Sequence, residues 1–194
     1  MILKASQRSG AVALANHLMN QQQNDHVTLH SLRGFVAEDL HGALREAYAI
    51  SRSTKCRQFL FSVSVNPPQR EAVSDDQLEA AIDRIEEKIG LEKFQRAVVI
   101  HEKEGRRHAH VVYSRINLDT MRAINLPHFK RKLMDVSRGL FIEHGWQMPD
   151  GLKKYGRSNP LNFTLEEWQQ AKRAKVDPRI VKRDLQECWL STAL

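Results

Sequence analysis

The stretch that decides the fold is His101-Glu-Lys-Glu-Gly-Arg-Arg-His108-Ala-His110-Val-Val-Tyr-Ser-Arg-Ile-Asn117. Apolar runs flank a charged segment that contains one glycine, and this pattern predicts a β-hairpin whose turn lies near residues 102–107. Because side chains alternate across a strand, His108 and His110 project from one face. Antiparallel pairing brings His101 opposite or diagonal to them. The hairpin therefore predicts a three-histidine metal site with open positions for a substrate.

Composition limits the class of protein and of partner. The chain has 194 residues, a net charge of +7 and a pI of about 9.6, which favours a polyanionic partner, most simply nucleic acid, over a merely basic soluble protein. Cys56 and Cys188 lie far apart and form no disulfide framework, so a reducing, cytoplasmic compartment fits. No stretch is long and apolar enough to insert into a membrane, and residues 1–6 lack a signal-peptide core.

Hydrophobic periodicity predicts alternating strands and helices before the hairpin. Strands are expected at 2–6, 27–32 and 58–65, and helices at 9–19 with Ser9 as cap, at 37–50, from a Ser74 capping box to Gly90, and at 128–144. Residues 150–160 are expected to form a mobile loop, followed by helices that start at Thr164 and Pro178. The order predicts an α/β fold with helices beside a central sheet that contains antiparallel strands, plus C-terminal helices. A purely parallel sheet is excluded.

Two aromatic residues are assigned from the same periodicity. In the third strand, Phe59 is expected to share a face with Phe61, Val63 and Val65. In the second helix, Tyr48 falls on the apolar stripe with Leu40 and Leu44 and is expected to lie in the core.

The ordered motif around the histidines resembles the nuclease domain of plasmid mobilisation relaxases, in the HUH endonuclease superfamily, and in particular the relatives of the T-DNA border nuclease. It consists of His101, the acidic stretch 102–104, His108-Ala-His110, Arg115 and Asn117. The strand 59–65 with Asn66-Pro67-Pro68 is similar to the family's middle motif. The resemblance covers residues 1–148, which implies a two- or three-layer relaxase sandwich there and a loop with a helical extension over 149–194.

The resemblance implies a site- and strand-specific DNA transesterase that nicks a plasmid transfer origin and stays attached to the 5′ phosphate. It implies one divalent ion, Mn²⁺ or Mg²⁺, held by His101, His108 and His110. The expected partners are single-stranded or supercoiled plasmid DNA, accessory relaxosome proteins and a type IV secretion coupling protein, in the bacterial cytoplasm.

The nucleophile departs from the family pattern, which places a tyrosine in the first helix. Here the corresponding position is His17, and no tyrosine precedes Tyr48. Neutral imidazole is a competent nucleophile near neutral pH, so attack by His17 would give a phosphoramidate. Tyr113 and Tyr155 are the alternatives, although Tyr113 is out of phase with the histidines. Glu104 is expected to orient a ligand or His17, or else to be a solvated turn residue.

Basic residues near these motifs are candidates for DNA contact. They are Arg106, Arg107, Arg115, Lys130, Arg131, Lys153 and Lys154. Solvated surface charges are the alternative for each of them. At the level of function, the alternatives are a catalytically silent metal- and DNA-binding module of the same fold, and a metal-dependent hydrolase of a small phosphoester.

Overall fold

Five strands form a central sheet between two pairs of helices. The computed structural model describes residues 1–22, 24–153 and 165–192. The elements of the first compact unit, Met1–Gln147, are β1 Ile2–Arg8, α1 Ala11–Leu18, β2 His26–Arg33, α2 Leu40–Ser51, β3 Leu60–Asn66, α3 Asp75–Ile89, β4 Arg96–Lys103, β5 Arg106–Ser114, β6 Ile116–Asn117, β7 Arg122–Ala123 and α4 Phe129–Glu143. The second unit, Met148–Leu194, holds α5 Asp150–Lys153, α6 Leu165–Arg173 and α7 Pro178–Thr192.

Strand order in the sheet is β1-β3-β5-β4-β2, and every pairing is antiparallel. This confirms the predicted α/β class with an antiparallel-containing sheet and helices beside it. It also confirms the histidine hairpin, since β4 and β5 pair across the turn at Glu104 and Gly105. A second, two-stranded hairpin of β6 and β7 was not expected from the sequence. The assignment of 1–148 as the nuclease domain and 149–194 as an extension stays a prediction.

The two faces of the sheet carry separate apolar cores. On one face, α3 and α4 bury Ile82, Ile85 and Leu133 against β3 and β5. On the other face, α1 and α2 bury Leu14 and Leu44 against β4 and β5. Each fully buried side chain of this size contributes about 1.5–3 kcal/mol, so both helix layers are held firmly on the sheet. The first unit is therefore a three-layer sandwich.

Helix ends follow local capping chemistry. The Ser74 capping box with Gln77 is present, and Gly90 ends α3 with a φ of 79°, as predicted. The Ser9 cap was wrong: Gly10 is the N-cap residue of α1 and makes no side-chain hydrogen bond. The second helix begins at Leu40 rather than at residue 37, because the Asp39 carboxylate accepts a hydrogen bond from the Gly42 amide.

Both aromatic assignments were wrong, for geometric reasons. Phe59 precedes the regular strand β3, so strand alternation does not apply to it, and it packs with Leu60 in the α1 and α2 core. Tyr48 is 47% exposed, and its ring lies 5.8 Å from that of Phe59 at an interplanar angle of 51°. The buried positions of α2 are Leu40, Ala43, Leu44, Ala47 and Ser51, a stripe that leaves Tyr48 at its margin.

The second unit contains three helical elements within its described residues. The turn α5 occupies 150–153, where only a mobile loop was expected. The helix predicted from Pro178 is confirmed as α7, and an ion pair of 3.1 Å joins Lys182 on it to Glu167 on α6. The predicted Thr164 cap lies outside the described residues. Over the described ranges, none of the helices has the length and apolar character needed to cross a membrane.

Candidate metal and nuclease site

Three histidines meet on the α1 and α2 face of the sheet. His101 pairs with His108 across the hairpin, and His110 follows two residues later on the same face of β5. The ring centroid of His101 lies 5.1 Å from that of His108 and 4.6 Å from that of His110. The centroids of His108 and His110 are 5.2 Å apart. One nitrogen from each ring lies within 4.8 Å of the others. Three imidazole donors thus converge on one point.

The surroundings keep these imidazoles neutral. Burial, followed by the charges of His101 and Arg106, lowers the pKa of His108 to about 4. Burial, followed by the charges of the other histidines, lowers the pKa of His110 to about 3. Burial also lowers the pKa of His101. Since a metal binds the neutral form of imidazole, the cluster is held near pH 7 in the form that can ligate.

A hydrogen bond from His101 fixes which of its nitrogens is free. The Nε2 atom lies 2.6 Å from the carbonyl oxygen of Leu18, at the end of α1. A carbonyl only accepts, so Nε2 carries the proton and Nδ1 keeps its lone pair. Metal-bound histidines commonly donate their second N–H to such a carbonyl. The donor set and this contact together fit a divalent ion held by His101, His108 and His110.

His17 lies on α1, next to the residue that binds His101. Its side chain is exposed, and its electrostatic interaction with His101 and His110, which lowers the pKa of both, places it close to the cluster. It lines a cleft of about 290 Å³ together with Ser9, Ala13 and Gln58. Because Leu14 and Leu18 anchor the helix in the core, the Ala13 and His17 side faces this open cleft.

The tyrosines are placed less favourably for attack. Tyr113 is fully buried on the α3 face, opposite the histidines, as its strand phase predicts. Burial and the neighbouring Glu86 carboxylate raise the pKa of its hydroxyl well above the usual value. Tyr155 lies outside the described residues. The assignment of His17 as the nucleophile stays a prediction, and the buried position of Tyr113 makes that tyrosine a poor alternative.

Glu104 sits in the turn itself and is exposed. It adopts a φ of 53°, and its backbone amide donates a hydrogen bond of 2.5 Å to the Asp25 carboxylate. These observations concern its backbone and fit a residue that shapes the turn, and a catalytic role for its carboxylate stays a prediction.

The three arginines near the hairpin have different roles. Arg106 is exposed on the histidine face, and its charge acts on His108. Arg107 points to the opposite face and forms an ion pair of 2.7 Å with Asp75 of α3. Arg115 is buried and donates to the Gln7 side chain and to the carbonyls of residues 58 and 124 at 2.7–2.8 Å. Of these three arginines, Arg106 is the one that stays a candidate for DNA contact beside the cluster.

The structure does not place the other residues that were predicted to contact DNA beside the three histidines. Lys130 and Arg131 begin α4, which packs on the far face of the sheet. Lys153 belongs to the second unit and pairs with Asp150 at 2.9 Å. Lys154 lies outside the described residues. The direct role of Lys130, Arg131, Lys153 and Lys154 in DNA binding stays an untested prediction.

A polar stripe beside the cluster was missed. On the half of the sheet next to His110, the strands β1 and β3 present half-buried or exposed polar side chains toward the α1 side, namely Lys4, Ser6, Arg8, Ser62, Ser64 and Asn66. Lys4 pairs with Ser64, which in turn pairs with His110. The sequence contained a signal for this stripe, because serines alternate with Phe61, Val63 and Val65 along β3. Such alternation predicts that one face of the strand is buried and that the other is exposed to solvent.

Comparison with known families decides the identity of the first unit. The family described as "Relaxase: MobA/VirD2-like, nuclease domain" matches residues 15–146, more than half of the chain. The chain belongs to this family. The matched relaxase nuclease segment includes His17 and the entire histidine hairpin. Relaxase nucleases are DNA endonucleases that act in mobilisation, and the family implies that plasmid DNA is bound.

Two further comparisons concern solved structures and curated proteins. One solved structure, from work on the molecular basis of vancomycin resistance transfer in Staphylococcus aureus, superposes with a TM-score of 0.47 at 13% sequence identity. The superposition covers 76% of the relaxase chain and 95% of that chain. No curated protein matches the sequence significantly.

The lowered histidine pKa values predict a pH-dependent stability of the metal-free relaxase. In the unfolded chain the histidines titrate near pH 6.5, whereas folded His108 and His110 titrate at about 4 and 3. Their contribution is complete above pH 6.5 and falls as pH drops toward the folded values, because the unfolded state then binds more protons. With a chelator present, the thermal unfolding midpoint should be lower at pH 5 than at pH 7. The fall should be shallower for His110→Gln, and equal midpoints in the native protein would contradict the assignment.

Proposed function

We propose that this relaxase domain nicks one strand of DNA at a plasmid transfer origin by metal-dependent transesterification and keeps the 5′ phosphate. The observation that carries the proposal is the set of three converging, neutral histidines with His17 beside them on the same face. Three protein nitrogens leave coordination positions open for phosphate oxygens, as catalytic sites require. Family membership supplies the class of substrate.

The histidine cluster would hold one divalent ion, with Mn²⁺ or Mg²⁺ as the proposed identity. Such an ion supplies a Lewis acid that polarises the scissile phosphate and offsets charge that develops on it. The protein holds the imidazoles in their neutral form and fixes the His101 tautomer through the Leu18 carbonyl. The contacts of the chain itself thus prepare these imidazoles to act as ligands.

In the covalent step that we assign to His17, one bond to phosphorus forms and another breaks. The lone pair of one imidazole nitrogen forms a bond to phosphorus while the bond from phosphorus to the 3′ oxygen breaks. The 3′ oxygen leaves with that electron pair and takes a proton from water. The second imidazole nitrogen releases its proton to the solvent. The products are a phosphoramidate on His17 that carries the 5′ end, and a free 3′ hydroxyl.

The polar stripe on β1 and β3 supplies a path for the strand. It runs beside His110 and offers the cations Lys4 and Arg8 with serine hydroxyls between them. Positive charge and hydroxyl groups are the side chains that most often contact DNA phosphates. Arg106 adds a cation on β5 itself, two residues before His108 and on the same face. These groups would hold the backbone of the DNA so that one phosphate meets the three histidines.

The proposed context is the cytoplasm of a plasmid-bearing bacterium, with accessory relaxosome proteins and a type IV secretion coupling protein as partners. Family membership in a mobilisation nuclease class supports this context. Pull-down of tagged relaxase from conjugating cells, compared with cells that lack the origin plasmid, measures whether these partners associate.

Relaxation of a supercoiled plasmid tests the proposed function. With the cognate origin and Mn²⁺ or Mg²⁺, we expect an open circle with protein retained on the 5′ end after denaturation. A plasmid without the origin, and a reaction with excess chelator, are the matched controls and should stay supercoiled. Shifted but uncut origin DNA would identify a silent binding module instead. Cleavage of a small phosphoester without plasmid nicking would identify the third class.

A further inference from the structure

A second cleft lies beside the one that holds His17. It has a volume of about 540 Å³ and is formed by the end of α2 and the loop that leads to β3. Its lining includes Tyr48, Arg52, Lys55 and Arg57, and it shares Ser9 with the His17 cleft. Pockets that take up small organic groups have volumes of about 300–1,000 Å³. The two clefts are thus neighbours, and the second is large enough for one nucleotide.

The charge of this cleft is uncompensated. Residues 52–57 contain three cations and no acidic residue. Arg33, Arg84 and Arg96 elsewhere in the first unit all form ion pairs with carboxylates. Within the described part of the chain, no ion pair joins Arg52, Lys55 or Arg57 to an acidic group. Three cations around one concave surface without a protein anion indicate an anionic ligand with several charges.

An aromatic platform stands in the same cleft. Tyr48 is 47% exposed, and its ring lies against that of Phe59, which is only 2% exposed and fixed in the core. The end of α2 is held by a hydrogen bond of 2.6 Å from the Ser51 hydroxyl to the Tyr48 carbonyl. An exposed ring on a rigid support, surrounded by cations, is the arrangement on which unpaired bases stack.

We propose that this cleft binds a nucleotide of single-stranded DNA close to the strand that lies at His17. Arg52, Lys55 and Arg57 contact the phosphates of this nucleotide and of its neighbour in the strand, and the base stacks on Tyr48. A base within a duplex has no free face for the ring, so single-stranded DNA is favoured over double-stranded DNA. The proposal rests on the proposed function only for the identity of the strand. The proposal predicts that single-stranded DNA binds to this cleft, and this binding can be measured whether or not the DNA is cleaved.

Fluorescence anisotropy of the full chain with a dye-labelled oligothymidine of about 16 nucleotides tests the subsite. Tyr48→Ala should weaken binding at least about fivefold, whereas Tyr48→Phe should bind like the native protein because stacking is retained. The triple variant R52Q/K55Q/R57Q should also lower the slope of log affinity against log salt by about two, since three phosphate contacts are lost. All four side chains are exposed, so the variants should unfold at the native temperature.

A triple variant with the same loss of charge serves as the matched control. Lys88, Lys93 and Arg122 are exposed and lie outside the cleft, so K88Q/K93Q/R122Q should leave the salt slope unchanged. Equal effects of the two triple variants, or native affinity of Tyr48→Ala, would overturn the subsite. Competition by duplex DNA as strong as by single-stranded DNA would overturn it as well, as would release of the probe by an acidic peptide alone.

Photocrosslinking distinguishes failure of the subsite from failure of the proposed function. An oligonucleotide with 5-iodouracil in the place of thymine should crosslink to Tyr48, as read by mass spectrometry of the peptides. Crosslinking to Tyr48 in a protein that does not nick origin DNA would leave the subsite intact and remove the nuclease proposal. Nicking of origin DNA without any crosslink at Tyr48 would support the nuclease proposal and overturn the subsite.

Discussion

Replacing His101, His108 or His110 singly with alanine should abolish nicking of origin DNA. Each residue supplies one of three protein nitrogens that lie within 4.8 Å of one another. Loss of one ligand leaves a bidentate site, and we expect the affinity for Mn²⁺ to fall at least about tenfold. Isothermal titration calorimetry measures the affinity, and plasmid relaxation measures the nicking rate at saturating metal.

His26 offers the matched control for these substitutions. It begins β2 and pairs with Glu102, so its side chain projects from the sheet face opposite to the three histidines. His26→Ala removes an imidazole at almost the same height of the sheet, and both affinity and nicking should stay at the native values. A cluster variant that binds Mn²⁺ like the native protein would show that these histidines are structural. A cluster variant that nicks DNA at the native rate would show that metal bound by these histidines is not required for the reaction.

His17→Ala should eliminate the covalent protein–DNA adduct while leaving DNA binding and metal binding in place. His17 is exposed on α1, so its removal opens no cavity in the core. It lies close enough to the cluster for its charge to act on His101 and His110. For attack, the reacting nitrogen must approach phosphorus to about 3–3.5 Å. Gel mobility after denaturation detects the adduct, and oligonucleotide anisotropy reports binding.

Chemical stability identifies the residue that carries the DNA. A phosphoramidate on histidine is labile in acid, whereas a phosphodiester of tyrosine survives mild acid, so brief acid treatment should release the DNA from the native protein. His41→Ala is the control, because His41 lies on α2 and contacts α1 through a 2.8 Å hydrogen bond to Asn16. It should keep the adduct. Mass spectrometry that finds the nucleotide on Tyr48, Tyr113 or Tyr155, with His17 unmodified, would refute the assignment.

Local patterns in the sequence predicted the elements that position the site. The hairpin follows from apolar runs on both sides of Gly105, and strand alternation alone puts His108 and His110 on one face. The same alternation puts Arg107 on the opposite face of the sheet, where it forms an ion pair with Asp75. The prediction that Arg107 contacts DNA rested on its charge alone and took no account of this strand phase.

Other features depended on contacts between residues far apart in the chain. Arg115 looked like a DNA contact because it is charged, yet its guanidinium donates to oxygen atoms of residues 7, 58 and 124. Tyr48 was assigned to the core because it falls on the apolar stripe with Leu40 and Leu44, but its ring lies at the edge of α2, where no neighbouring element covers it fully. Neither outcome is encoded in periodicity, because both require knowing which strand lies beside which helix.

The strand pairings also fix an order of assembly for the site. The two strands that carry the three histidines are joined by a two-residue turn, whereas β1 pairs with β3 through contacts such as that of Ile2 with Asn66. Short loops close in tens of nanoseconds and hairpins within microseconds, and pairing of distant segments is slower. During folding, the metal ligands should therefore come together first. The polar stripe on β1 and β3, which needs the N-terminal strand, is completed later.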